Sequence, residues 1–340
     1  MLPKVALATT GIGSLPRPTW LGERTRGSIK FALEGAALAE ALDDATILAL
    51  REQEEVGIDI VTDGEQRRSN FINHAIRNWS GVNLADQRRK GFHRNRPSDL
   101  LLPAVTGAVV HQSAGLAGEV RFAKAHTTRP VKMALPGPMT LVDSTVDDHY
   151  GDESAQALAM AEALNRELLE LQAAGCDMIQ IDEPAMTRYH DKVRSYGLKA
   201  LDRALQGITI PTVVHLCYGY PDTGRGKQQY EYRYEVLLPM LMETRIGGFT
   251  VEFGRSDFDP AILKLCGDRI VMFGCIDPGD TPVPLRASVE KRIAEALEYV
   301  DPAKLMLSPD CGLMMAGRDG ARAKLAVMVE AARDLRHRLA

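Results

Sequence analysis

Residues 154–184, SAQALAMAEALNRELLELQAAGCDMIQIDEP, decide the fold. A helical pattern from Ser154 to Ala174 leads through a glycine-containing turn into a short apolar strand, Met178 to Ile181, and acidic residues follow the strand. A helix that precedes a short and continuously apolar strand is typical of the repeating unit of a parallel α/β sheet. The stretch therefore predicts a sheet whose strands are covered by helices.

The same alternation extends through most of the chain and gives eight predicted strands. They are Val5 to Thr10, Ile58 to Thr62, Val131 to Leu135, Met178 to Ile181, Thr212 to Leu216, Gly248 to Glu252, Ile270 to Phe273 and Leu305 to Leu307. The predicted helices are Asp44 to Val56, Ser154 to Ala174, Tyr234 to Glu243, Arg286 to Tyr299 and Gly320 to Arg338. Eight strands with intervening helices predict an α/β fold of the (β/α)8 TIM-barrel type, in a single domain over residues 1–340.

Residues 66–129 interrupt this alternation, because the interval is about twice as long as an ordinary connection in such a fold. Two stretches of alternating residues lie within it, Ala104 to Val110 and Glu119 to Ala125. We expect an inserted helix and β-hairpin between the second and third strands of the barrel.

Composition and charge exclude several classes of protein. Of the 340 residues 45% are hydrophobic and 25% charged, and the formal net charge is −4, without the basic excess of nucleic-acid-binding proteins. The longest uncharged stretches, Leu100 to Gly118 and Ala204 to Pro221, are broken by polar residues, Gly and Pro and do not predict a membrane span. The first residues lack the pattern of a signal peptide. We therefore expect a cytoplasmic protein with a small-molecule partner.

Metal-ligating side chains stand at the ends of three predicted strands. His215 and Cys217 are two residues apart at the end of an apolar strand, so their side chains project to the same face. Glu252 ends the next strand, and Cys311 follows the eighth. In a parallel barrel these strand ends share one rim, and the four residues predict a tetrahedral Zn²⁺ site.

The remaining cysteines give one rival to this ligand set. The chain has five cysteines, and an odd number in a reducing compartment argues against a disulfide framework. Cys275, at the end of the seventh strand, is an alternative ligand. Cys176 and Cys266 lie in helix-to-strand turns at the opposite end of the barrel, and we expect them to be structural.

The charge of the ligand set predicts the chemistry of the metal. Two thiolates neutralise the dication and Glu252 takes the site to about −1, which makes a poor Lewis acid for hydrolysis. Such a site can instead hold an incoming thiol as a nucleophilic thiolate at neutral pH. We therefore predict alkyl transfer onto a thiol substrate.

Seven stretches in order along nearly the whole chain resemble the C-terminal catalytic barrel of the cobalamin-independent methionine synthases, in a single-domain short form. They are Thr10-Gly-Ile-Gly-Ser-Leu-Pro16, Asp63-Gly-Glu65, Pro136-Gly-Pro-Met-Thr140, Gln180-Ile-Asp-Glu-Pro184, His215-Leu-Cys217, Glu252 and Ser308-Pro-Asp-Cys-Gly312. The resemblance implies a methyltransferase with the zinc ligands His215, Cys217, Glu252 and Cys311, and with homocysteine as the thiol. It further implies that Ile12, Gly13 and Ser14 hold the homocysteine carboxylate and that Glu65 and Asp182 hold its ammonium group.

The sequence departs from the family where the methyl donor would bind. No tryptophan follows the third strand, where the family stacks its folate, and Gly279 stands where ungapped counting from Asp277 places the histidine that protonates the leaving group. A methylated folate needs such an acid, whereas cob(I)alamin leaves without a proton. We therefore favour methylcobalamin or a corrinoid protein as the donor and keep 5-methyltetrahydrofolate open. Asp182 and Asp277 are the candidate catalytic residues.

Two other functions remain open from the sequence. The zinc could activate another thiol, such as coenzyme M in an epoxide-opening reaction, although a sulfonate would favour Arg or Lys over the acidic residues. The chain could also be a metal-free barrel similar to uroporphyrinogen decarboxylase. Such a barrel shares the fold but not the His, Cys, Glu and Cys set.

Overall fold

The structure, a computed structural model, describes residues 2–25, 28–90, 101–112, 115–218, 234–256, 258–279 and 281–339. Its strands are β1 (Gly22–Thr25), β2 (Ser28–Phe31), β3 (Trp79–Arg89), β4 (Leu101–His111), β5 (Lys132–Pro136), β6 (Val146–Asp147), β7 (Met178–Asp182), β8 (Thr212–His215), β9 (Gly248–Glu252), β10 (Ile270–Ile276) and β11 (Leu305–Pro309). Its α-helices are α1 (Gly35–Val56), α2 (Phe71–Ala75), α3 (Ala117–His126), α4 (Pro138–Asp143), α5 (Glu153–Ala173), α6 (His190–Lys192), α7 (Leu198–Ala204), α8 (Tyr234–Leu241), α9 (Arg286–Leu297) and α10 (Arg318–Leu339). None of the described helices is both long and apolar enough to cross a membrane.

A six-stranded parallel sheet is the centre of the fold, in the order β11-β10-β9-β8-β7-β5. All five residues of β5, β9 and β11 are buried, because a parallel sheet is covered on both faces. The predicted α/β class with a parallel sheet is confirmed. Six of the eight predicted strands are present, with bounds that differ from the prediction by a few residues.

The two remaining predicted strands form single bridges rather than ladders. The parallel bridges are Val61 to Val131, Thr10 to Ile60 and Thr9 to Leu307. The N-terminal segment and the segment around Ile60 therefore connect the two edges of the six-stranded sheet. The strand ends that hold the predicted site residues all point in one direction along it.

The last helix fastens the N-terminal segment in place. Arg336 of α10 donates from Nε to the carbonyl oxygen of Ala6 at 2.8 Å and from Nη2 to that of Leu7 at 2.9 Å. The same guanidinium binds Asp59, which accepts from the backbone N–H of Thr9 at 2.8 Å. One arginine thus joins the last helix to both bridging segments.

The two faces of the sheet pack against different cores. Along β7, Ile179 and Ile181 belong to a large apolar core, whereas Met178 belongs to a small cluster on the other face, as the alternation of strand side chains requires. The small cluster consists of Ala8, Ile12, Ile60, Met178, Val213, Met272 and Met306. It lies below the strand ends that carry the site.

The strands that the sequence predicts for the hairpin are not the ones that pair. β3 pairs antiparallel with β4, which contains Ala104 to Val110, but Glu119 to Ala125 lies in helix α3. Val120 and Ala123 of this helix are buried, and their spacing of three fits a helical face, whereas a strand would place them on opposite faces. Helix α1 also begins earlier than predicted, at Gly35 instead of Asp44.

Candidate active site

The predicted site residues lie at the carboxyl ends of neighbouring parallel strands. His215 ends β8 and Cys217 follows two residues later, Glu252 ends β9, and Cys311 follows β11. All four side chains belong to buried residues. Parallel pairing places these strand ends on the same edge of the sheet.

Three of the predicted metal ligands meet. One ligand atom each of His215, Cys217 and Cys311 lies within 4.8 Å of the other two, and the two sulfur atoms are 3.5 Å apart. The thiol of Cys311 and burial together raise the pKa of Cys217 well above its usual value. We call these three residues the sulfur end of the site.

The imidazole of His215 is oriented by the neighbouring strand. Its Nδ1 lies 2.6 Å from the hydroxyl of Thr250, while the buried Nε2 has no hydrogen-bonding partner in the described part of the chain. Burial lowers the pKa of His215, but contact with Cys217 and the charge of Asp182 outweigh it, so the net shift is upward. A histidine held through one ring nitrogen, with the other facing two thiols, fits a zinc-ligating histidine.

The fourth predicted ligand lies beside this group but is not part of it. Glu252 is buried, and its Oε1 accepts from the backbone N–H of Tyr218 at 3.1 Å. Its negative charge raises the pKa of both His215 and Cys217, so the carboxylate is near them. The rival ligand Cys275 is not one of the three converging residues, and its thiol donates to the carbonyl oxygen of Ser308. Ligation by Glu252 stays a prediction.

Asp310 organises the sulfur end, and the sequence reasoning assigned it no role. Its carboxylate accepts from the backbone N–H groups of Phe253, Gly254 and Arg255 at 3.1, 2.7 and 2.9 Å. These three residues follow Glu252. Asp310, which directly precedes Cys311, therefore holds the loop after β9 close to that cysteine. The sequence shows an acidic residue directly before Cys311. It does not show which distant backbone N–H groups this residue accepts hydrogen bonds from.

Glu65 and Asp182 form a second group, which we call the carboxylate end of the site. Burial raises the pKa of Glu65 to about 7, against an opposing effect of Arg68, and the charge of Asp182 adds to the rise. Burial likewise raises the pKa of Asp182. Arg68 Nη1 lies 3.7 Å from Glu65 Oε1, and Gln180 Nε2 donates to Asp182 Oδ1 at 2.7 Å. Two neighbouring carboxylates with raised pKa values favour a cation between them.

The backbone at Glu65 and Gly13 is shaped for close approach. Glu65 has a φ of +55°, a conformation that costs a non-glycine residue energy and is often found at functional sites. A Cβ on Gly13 would lie 2.4 Å from Glu65 Oε1, so only glycine leaves the carboxylate in its place. The predicted substrate residues Gly13 and Glu65 are therefore in contact.

The loop of residues 12–14 is held by its carbonyl groups. Lys132 Nζ donates to the carbonyl of Ile12 at 3.0 Å, the Thr62 hydroxyl to that of Gly13 at 2.9 Å, and Leu313 N–H to that of Ser14 at 2.9 Å. Among the described residues, none accepts a hydrogen bond from the backbone N–H groups of residues 12–14. Because the carbonyl groups of this loop are bound within the protein, its backbone N–H groups are available to donate to an anionic group such as a carboxylate.

Two acidic residues near the site have structural partners. Glu183 is fully buried and accepts from the backbone N–H groups of Met139 and Thr140 at the start of α4, at 3.0 and 2.8 Å. The side chain of the candidate catalytic residue Asp277 accepts from the backbone N–H of Gly279 at 2.9 Å. Buried Lys324 donates to the backbone carbonyl oxygens of Asp277 and Gly279. Asp280, a possible acid for the leaving group, lies outside the described residues.

Comparison with known proteins gives one consistent result. The family model described as cobalamin-independent synthase, catalytic domain, matches residues 7–334. Methionine synthases from Saccharolobus islandicus and Sulfolobus acidocaldarius are 31% and 30% identical over 339 and 335 residues, which cover 98% of this chain and 96% and 93% of theirs. The solved structure of a B12-independent methionine synthase from Shewanella sp. W3-18-1, in complex with selenomethionine, is 35% identical, with a TM-score of 0.93 and coverage of 98% of this chain and 99% of that chain.

Proposed function

Because the chain belongs to the cobalamin-independent methionine synthase family, as a methyltransferase of that type, we propose that it methylates the thiol of homocysteine to give methionine. The observation that carries the proposal is the convergence of His215, Cys217 and Cys311 within 4.8 Å at the edge of the sheet that also bears Glu65 and Asp182. A thiol-activating group and an ammonium-binding group within one site match the two ends of homocysteine.

We propose Zn²⁺ as the ion held by His215, Cys217 and Cys311, with Glu252 as the fourth ligand. The donor set fits, because imidazole and thiolate ligands suit zinc and the buried Nε2 of His215 has no described partner. When bound, zinc would stabilise the substrate sulfur as a thiolate at neutral pH. Thr250 would keep the imidazole in its ligating orientation, and Asp310 would hold the loop that carries Glu252.

The amino-acid part of homocysteine is assigned to the carboxylate end. Glu65 and Asp182 would accept hydrogen bonds from its ammonium group, and the N–H groups of residues 12–14, with the hydroxyl of Ser14, would bind its carboxylate. A bound ammonium would lower the raised pKa values of Glu65 and Asp182, because each carboxylate would then face a positive charge. Asp182 thus orients the substrate in this proposal.

Although the matching family is described as cobalamin-independent, the methyl donor we favour for this chain is methylcobalamin or a corrinoid protein, with 5-methyltetrahydrofolate as the second candidate. The support is the segment after β10, where Asp277 binds its own turn and where ungapped counting puts Gly279 at the position of the family's histidine. Transfer breaks the bond between the methyl carbon and its carrier and forms the bond to sulfur. A carrier that leaves without a proton needs no acid at this position.

We also infer that the sheet closes into a (β/α)8 barrel, with residues 66–129 as an insertion. The proposal is supported by the bridges at Thr9, Thr10, Ile60 and Val61, through which two extended segments between β11 and β5 would complete a ring of eight. In such a barrel the carboxyl ends of the strands form one rim, and the site lies there.

The test supplies the purified protein with homocysteine and one donor at a time, while zinc is measured by elemental analysis. We expect about one zinc per chain and methionine formation with methylcobalamin. Turnover with methyltetrahydrofolate alone would overturn the preferred donor, and absence of bound zinc with retained turnover would overturn the metal assignment. Replacing homocysteine with coenzyme M tests the choice of thiol.

A further inference from the structure

A buried lysine lies beneath the carboxylate end. Lys132, the first residue of β5, is 0% exposed. Its Nζ donates to the carbonyl oxygen of Ile12 at 3.0 Å and to the side-chain amide oxygen of Gln180. One ammonium group therefore joins the loop of residues 12–14 to strand β7.

The contact with Lys132 determines how Gln180 presents its amide. Lys132 donates to the amide oxygen of Gln180, so the oxygen faces Lys132 and the NH₂ group faces the other way. That NH₂ group donates to Asp182 Oδ1 at 2.7 Å, since residues two apart on a strand share a face. Lys132, Gln180 and Asp182 form a chain of hydrogen bonds with a single direction.

Lys132 is costly to keep at this position. Burial lowers its pKa to about 7, although the charges of Asp182 and Glu65 oppose the shift. Below the site the fold packs Met178, Met272 and Met306 together, so apolar side chains are accommodated there. A buried lysine costs stability relative to an apolar residue at such a position. We therefore look for a role of Lys132 in the hydrogen bonds that an apolar side chain could not make.

We propose that Lys132 is a positioning residue that fixes the two halves of the amino-acid subsite relative to each other. Through the Ile12 carbonyl it holds the loop that faces the substrate carboxylate, and through Gln180 it aligns Asp182 with the substrate ammonium. The inference rests on the proposed function, because it assumes a thiol that carries both groups. It assigns Lys132 and Gln180 to substrate recognition without contact between either residue and the reacting sulfur.

The experiment compares two thiols that differ only in the amino group. Calorimetry on the zinc-loaded protein gives the dissociation constants of homocysteine and of 4-mercaptobutyrate, which lacks the ammonium. For Gln180→Leu we expect homocysteine to bind at least about tenfold more weakly and 4-mercaptobutyrate to change by less than about threefold. Lys132→Met should weaken homocysteine at least as much and should also weaken 4-mercaptobutyrate, because it releases the loop that faces the carboxylate as well. The double variant should bind homocysteine no more weakly than Lys132→Met, because both changes break the same chain of hydrogen bonds.

Lys324→Met is the matched control. Lys324 is also buried, at 1% exposed, but it binds the carbonyls of Asp277 and Gly279. We expect this variant to lose thermal stability and to keep the wild-type preference for homocysteine over 4-mercaptobutyrate.

Two results would overturn the inference in different ways. If the wild type prefers homocysteine and both Lys132→Met and Gln180→Leu keep that preference, Lys132 has only a structural role. If the wild type binds neither thiol, the proposed function itself fails, and the inference with it. Gln180→Leu carries the test alone if Lys132→Met does not fold.

Discussion

The sulfur end and the carboxylate end of the site differ in how far the chain itself completes them. At the sulfur end, His215, Cys217 and Cys311 face one another, and the His215 Nε2 finds no partner among the described residues. At the carboxylate end, Arg68 lies beside Glu65 and Gln180 binds Asp182. In the proposed function an ion would complete the first group, whereas contacts with other side chains of the protein already hold the second in place.

This difference shows how one site can separate two tasks. In the proposed function the sulfur end depends on a metal whose binding requires deprotonated ligands, so its state would vary with metal supply and pH. In the proposed function the carboxylate end is preorganised. It would bind the amino-acid part of a substrate with the same geometry whether or not the sulfur end holds a metal. Substitutions at the two ends should therefore produce different kinds of loss.

The largest effect is expected from Cys311→Ala. Loss of one of three converging ligands should abolish zinc binding and reduce methionine formation by more than about 100-fold, beyond the roughly 10–100-fold cost of losing a ligand's supporting hydrogen bond. Elemental analysis and a methionine assay measure both. Cys266→Ala, a buried cysteine outside the site, should keep zinc and activity. Retention of zinc by Cys311→Ala would show that zinc binding does not need Cys311. The assignment of the metal to the sulfur end, and with it the difference between the two ends, would then be wrong.

Asp182→Asn should affect binding rather than zinc content. A lost hydrogen bond between charged groups costs about 1.5–3 kcal/mol, so the KM for homocysteine should rise about 10- to 100-fold while zinc occupancy stays at the wild-type level. The neighbouring change Glu183→Gln acts at the start of α4 and should lower the melting temperature without changing this KM. Equal KM values for Asp182→Asn and the wild type would contradict the assignment of the ammonium.

Glu65 should make stability depend on pH. Folded Glu65 keeps its proton up to about pH 7, whereas the usual pKa is 4.5, so between these values the folded state binds more protons and the free energy of unfolding falls as pH rises. Glu65→Gln removes this dependence. Without substrate, the variant should be about 2 kcal/mol more stable than the wild type above pH 7, with no such excess below pH 4.5.

Urea denaturation at a series of pH values measures this difference. The expected excess is smaller than the full pKa shift gives, because glutamine also gives up the interaction with Arg68. Unfolding free energies that differ by the same amount at every pH would show that the carboxylate carries no burial penalty.

The smallest effect is expected from Gly13→Ala. The added methyl group would lie 2.4 Å from Glu65 Oε1 and force the Glu65 side chain out of its rotamer, at a cost of about 1 kcal/mol. The KM for homocysteine should then rise about fivefold. Gly11→Ala is the control, because its Cβ would meet no atom closer than 3.9 Å. An unchanged KM in Gly13→Ala would mean that the Glu65 side chain can move without weakening homocysteine binding. The carboxylate end would then not be preorganised.

The sequence predicted what local pattern and strand direction determine. The strands β5 and β7–β11 are short buried apolar runs, and the alternation along β8 placed His215 and Cys217 together. The prediction for the segment Glu119 to Ala125 was wrong because Val120 and Phe122 alternate as in a strand, whereas the buried pair Val120 and Ala123 has the spacing of a helix. The roles of Asp310 and Lys132 were not predictable, because each depends on partners far away in sequence.

Arg336 ties the geometry of the site to the order in which the chain can fold. Its contacts with Ala6, Leu7 and Asp59 join residues 277–330 positions apart, and the loop of residues 12–14 follows directly from the segment it holds. Contacts of such long sequence separation form late and slow the search for the native state. A nascent chain would therefore carry an unfinished substrate loop until helix α10 docks.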